Sequence, residues 1–143
     1  MSTTPKTSNL SAKNQALLAE IHQELTAALA FYASGSRQFS PDIPFALCAE
    51  LAERHIHKLE QLLDGYGLSI ESDHMSDSNQ LPIDLHEACH TALTFALERD
   101  RRYKHWIDTI NNTDIHQLLC NIEHGIHDRG IPSFKQYLEH HNI

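Results

Sequence analysis

Histidine and carboxylate together are what a helical chain needs to hold a hard or borderline metal, and this sequence is rich in both. Its 143 residues include 12 His, several times the ordinary share, beside 19 Asp and Glu. Imidazole is the commonest metal ligand. The stretch "AELAERHIHKLEQLLDGYG" (49–67) is the first concentration, and "IEHGIHD" (122–128) is the second. They echo each other as "ERHIH" (53–57) against "EHGIH" (123–127). Carboxylate oxygens with imidazole suit iron or manganese. Helical spacing of three or four residues puts two such ligands on one side.

Which of these groups point inward depends on the phase of each helix. Glu24 lies beside Leu17, Ile21 and Ala28, roughly 60–70° from the centre of the apolar stripe at about 100° per residue, so it can face the interior. His55 falls inside the stripe between Leu51 and Leu59 and is expected to be buried. Glu53 and His57 share the opposite face with Glu50, Glu60 and Asp64, which reads as a solvated surface despite the inviting spacing. Farther on, His116, Cys120, Glu123 and His127 share one flank of an apolar stripe, with His124 further round. Glu98 and Asp100 flank a third stripe on its two sides. Arg99 lies near the centre of that stripe, where it must snorkel or pair with an inward carboxylate.

The elements that would carry these residues are helices. Leu17, Leu18, Ile21, Leu25, Ala28, Leu29 and Tyr32 recur at steps of three and four from about Ser11, and Gly35 is expected to stop that helix. "SPDIP" is expected to open the second, with Ser40 as cap and Pro41 in the first turn. "DGYG" ends it, and residues 65–83 read as a long connection. Asp84 with Glu87 forms a capping box for the third helix. Thr113 is expected to cap the fourth, which should stop near Gly130 before a short C-terminal helix in "PSFKQYLEHH". No strand alternation occurs. A connection of about 19 residues, at ~3.3 Å per extended residue, can run back along a bundle. The expectation is an all-α four-helix bundle with a long crossover between helices two and three. Residues 1–10 would be a flexible arm and 11–143 a single domain.

Composition narrows the functions. Apolar residues at 41% and charged residues at 21% are an ordinary globular balance. A net charge of −8 without a basic run argues against nucleic acid. No apolar run nears membrane-spanning length, and the polar start lacks a signal-peptide core. Cys48, Cys89 and Cys120 are far apart with no CxxC, which favours a reducing, cytoplasmic setting. The chain has no rubredoxin-type Cys pairs and no evident haem-ligating Met. Phe39 and Phe45, with Tyr32, are read as an exposed aromatic patch for a homo-oligomer, a dimer or larger.

The order of these segments resembles bacterioferritin and rubrerythrin-type proteins of the ferritin-like superfamily. "LLAEIHQELTAALAFYASGSRQF" is similar to their first helix, "HIHKLEQLL" to the run after their Glu-x-x-His, "ALERD" to the third-helix ligand segment, and "IEHGIHD" lies where the fourth-helix Glu-x-x-His falls. The resemblance implies Glu24, His55, Glu98 and His127 as metal ligands. It implies iron oxidation, storage or sensing at a di-iron or single-metal site, with Mn or Zn as alternatives and a ferroxidase-like activity in view. The chain departs from the pattern at the two bridging glutamates: Ala52 stands three residues before His55, and His124 stands three before His127 with Glu123 one step away. Glu123 and His124 therefore join the candidate set. Two further readings are open. One is a bundle that has lost its chemistry and serves as a structural or interaction module. The other is a hemerythrin-like oxygen or iron binder, on His22, His86-x-x-x-His90 and His124-x-x-x-Asp128.

Overall fold

The computed structural model describes residues 10–40, 43–70 and 81–141, and among them the chain is helical with no strand. Helix α1 spans Ala12–Gln38, α2 Phe45–Gly65 and α3 Leu85–Thr109. A last helical rod is built from α4, Thr113–Gly125, a π-helical turn at Ile126–Gly130, and α5, Ile131–His141. Ser11 caps α1 by accepting from the Asn14 N–H, and Asp84, the cap expected from sequence, caps α3 by accepting from the Glu87 N–H.

Four boundaries differ from the sequence reading. Gly35 does not end α1 but lies buried inside it, because the Phe45 ring presses on its backbone: a Cβ there would come within 2.2 Å of Phe45 Cδ1. Helix α2 begins at Phe45 behind Pro44, beyond the expected Ser40 cap, while Pro41 lies outside the described residues. Asn112, not Thr113, caps α4 by accepting from Ile115 N–H at 2.9 Å. The most consequential difference is at Gly130, where the helix continues instead of stopping. Pro132 has no N–H and its ring crowds the carbonyl four residues back. The turn before it widens to π geometry, Ile131 N–H reaching the Ile126 carbonyl, and the rod runs on. Ser133 donates to the Gly130 carbonyl at 2.8 Å instead of starting a new helix.

Short links fold α1 against α2 and α3 against α4, while α3 also packs on α5 and α2 meets α4. The core has two parts. Leu18, Ile21, Leu25, Leu59, Leu119 and Ile122 fill one, and an aromatic group around Tyr32, Phe45 and Phe134 fills the other. The aromatic patch expected at the surface is internal: Phe45 and Tyr32 are buried, and Phe39 is partly buried and stacks on Phe45 at 5.7 Å. Leu10, assigned to the arm from sequence, is also buried. The rest of that arm and residues 71–80 of the expected crossover lie outside the described residues.

Candidate metal centre

Two ionic clusters sit side by side because α3 presents consecutive residues, Arg99 and Asp100, to different neighbours. Arg99 enters the core. Its Nε donates to Glu24 Oε2 at 2.6 Å and its second terminal nitrogen to Oε1 at 3.0 Å, while the Tyr103 hydroxyl donates to Oε1 at 2.6 Å. The guanidinium also lies about 6 Å from the ring centroids of Tyr32, Phe95 and Tyr103. Burial opposes the Arg99 charge, but Glu24 and the surrounding tyrosines more than offset it, and the Arg99 pKa is raised. Desolvation pushes the Tyr32 and Tyr103 hydroxyls up as well. Glu24 therefore points inward as expected, but a cation belonging to the protein already holds both its oxygens.

Asp100 turns the other way, toward the α4 flank. Its Oδ2 is 3.4 Å from His127 Nδ1 and 2.9 Å from Lys104 Nζ. Glu123 Oε2 is 3.9 Å from His127 Nδ1 and 4.0 Å from Lys104 Nζ. One ligand atom from each of Asp100, Glu123 and His127 falls within 4.8 Å of the others, the group of three with metal-ligand spacing among the described residues. Helical spacing explains the set: His127 is four residues after Glu123, and Lys104 is four after Asp100. The two carboxyls are buried; Asp100 Oδ1 and Glu123 Oε2 meet no nitrogen or hydroxyl donor, and the two acids hydrogen-bond to each other. His127 and Lys104 remain about half exposed, with side chains 55% and 52% accessible, so the cluster opens to solvent on one side.

The electrostatics split the two acids. Burial raises Glu123, and the Asp100 carboxyl beside it raises it further. Burial also works upward on Asp100, but hydrogen bonding to Glu123, Lys104 and His127 holds it below the ordinary carboxylate range. Adjacent like charges favour this division, one acid ionised and the other retaining its proton longer.

The remaining sequence candidates take separate places. His55 is buried and Glu53 exposed, as the phasing predicts. Burial, then Arg99 and Lys58, lower the His55 pKa to about 4 against a smaller opposing pull from Glu24, with Arg54 adding slightly. Its Nδ1 has no hydrogen-bond partner among the described residues, and its ring lies against Gly125, where a Cβ would approach Cε1 to 2.8 Å. The cavity that His55 lines with Cys48, Arg99 and Gly125 measures about 10 Å³, far too small for a substrate. Glu98 and His124 are exposed. Glu24, His55, Glu98 and His127 thus do not form a single ligand group, whereas Glu123 and His127 do come together. Asp100 completes their set and was missed as a ligand. Its signal was its position on the α3 flank opposite Glu98, four after Ala96 and three before Tyr103, both of which are buried.

The cysteines are free: Cys48 and Cys89 are buried, with pKa values raised to about 11 by desolvation, and Cys120 is half-buried. Among the described residues no helix is long and apolar enough to cross a membrane. Comparison with protein-family models, curated proteins and solved structures finds no match to this chain.

Proposed function

We propose that this chain is a helical metal-binding protein, of the ferritin-like type its segment order resembles, and that it binds one divalent first-row ion through Asp100, Glu123 and His127. The observation that carries this reading is the buried, adjacent pair of carboxyls, Asp100 and Glu123, whose Oδ1 and Oε2 meet no nitrogen or hydroxyl donor, beside an accessible imidazole. Two buried acids held side by side repel once both are ionised, and a cation between them relieves that repulsion. Two oxygens and one nitrogen suit ferrous iron, manganese or zinc. Asp100 and Glu123 would supply the negative charge, and the half-exposed His127 would close the set from the solvent side. Asp100, Glu123 and His127 would hold the ion, and a ferrous ion there would supply one-electron chemistry with a small oxidant.

Mn²⁺ titration followed by electron paramagnetic resonance tests the reading. One ion per chain is expected at neutral pH, with affinity reduced at least about tenfold in Asp100→Asn and in His127→Ala. Absence of saturable binding to the unaltered chain refutes it. A second reading has its own observation, the Lys104 contact at 2.9 Å, which already neutralises Asp100. On that reading the cluster is an ion-pair network pinning α3 to α4, and the same titration shows no bound ion.

A further inference from the structure

Lys104 stands where an entering cation must go. Its ammonium is 2.9 Å from Asp100 Oδ2 and 4.0 Å from Glu123 Oε2, so it faces the same two carboxyls that, with His127, make the metal-spaced group. Its side chain is 52% accessible, and it reaches the cluster from one turn along α3 without being walled in. A long flexible ammonium is a point charge on a stem that can swing away, unlike the planar, enclosed guanidinium of Arg99.

We propose that Lys104 is the resident cation of the Asp100–Glu123–His127 site and is displaced when a divalent metal binds. The inference rests on the metal reading above and adds how the site is controlled: the site exchanges one cation for another instead of filling an anionic hole. Lys104 keeps two neighbouring buried carboxyls together in the metal-free protein, and it sets a threshold for entry. A monovalent ion brings no more charge than Lys104 supplies. A divalent ion brings twice that charge and also gains the His127 lone pair, which an ammonium cannot use as a ligand. Lys104 thereby becomes the residue that selects divalent over monovalent cations.

The experiment uses Mn²⁺ with the full chain, Lys104→Met and Lys104→Arg, measuring affinity by calorimetry at neutral pH. Lys104→Met is expected to bind Mn²⁺ about threefold to fivefold more tightly than the unaltered chain, while Lys104→Arg, which keeps the charge, stays near or below it. In parallel, acylation of Lys104 by an amine-reactive reagent, read by peptide mass spectrometry, should rise when Mn²⁺ is added, because the ammonium is released. Equal affinity in the unaltered chain and Lys104→Met, with unchanged acylation, overturns the displacement proposal while leaving the metal site standing. Absence of Mn²⁺ binding in all three chains overturns the metal reading and this inference with it. A folded state for Lys104→Met is checked by its circular dichroism and melting temperature. If that variant does not fold, the acylation of the unaltered chain decides alone.

Discussion

Arg99 and Asp100 are neighbours in sequence, yet they anchor clusters of opposite character. Around Arg99 the carboxylate of Glu24 has both oxygens engaged, by a guanidinium and a phenol, in the interior. Around Asp100 two buried carboxyls, Asp100 and Glu123, face each other, and the basic groups beside them, Lys104 and His127, are half in water. The residue types are nearly the same in the two places. What separates a structural acid from a candidate ligand is whether the protein's own cation is enclosed or open to solvent.

The largest effect should come from breaking the enclosed pair. Arg99→Met leaves Glu24 buried without its charge partner and should lower stability by about 3–5 kcal/mol in urea denaturation. The double variant Glu24→Leu with Arg99→Met should recover most of that loss, since a buried pair is often matched by apolar replacement. A single-variant loss below about 1 kcal/mol would erase the contrast between the two clusters.

Acid sensitivity separates them next. His55 sits with the enclosed cluster, and its pKa is lowered from 6.5 to about 4. The unfolded chain therefore binds more protons between those values, so stability rises with pH across that window and is lost as pH falls through it. Comparing pH 7 with pH 4, the unaltered protein should lose about 3 kcal/mol more than His55→Leu does. Equal pH dependence in the two proteins would mean that the imidazole is hydrated in the native state.

The smallest effects belong to the open cluster. Glu123 is raised by burial and by Asp100, so its ionisation works against folding as pH rises above the unfolded carboxyl value and through the folded one. Glu123→Gln should remove that loss and be slightly favourable at pH 8, by under about 1 kcal/mol. Asp100 has the opposite sign: its depressed pKa contributes stability above the unfolded value that is lost as pH falls through the folded one. Asp100→Asn should therefore be mildly unfavourable at pH 7, and melting curves with and without Mn²⁺ should show a metal-dependent rise in the unaltered protein alone.

The phase of each helix was legible in the sequence, which is why burial of His55, exposure of Glu53 and the inward turn of Glu24 all follow from three- and four-residue spacing. The awkward position of Arg99 was legible too, and its resolution by an inward carboxylate is what packing provides. Spacing could not tell that Arg99 would choose Glu24, because that contact joins residues 75 apart on different helices. It also could not set the azimuth of α3 relative to α4, which decides that Asp100, and not Glu98, meets Glu123. Gly35 and Gly130 misled for a common reason. Both are helix breakers by intrinsic preference, and in each case tertiary packing or a local widening absorbed the penalty.

The widened turn at Ile126–Gly130 works as a phase corrector. One surplus residue in a helix shifts everything after it by about 100° around the axis. Ile122 and Ile126 fill the first part of the core, and Phe134 fills the aromatic part. A single rod serves both because the offset is taken up between them, in the turn that also carries His127. With the same residues in regular α geometry, α4 would stay in place and Phe134 would rotate off its aromatic partners, so the widened turn is what lets this number of residues serve both parts of the core.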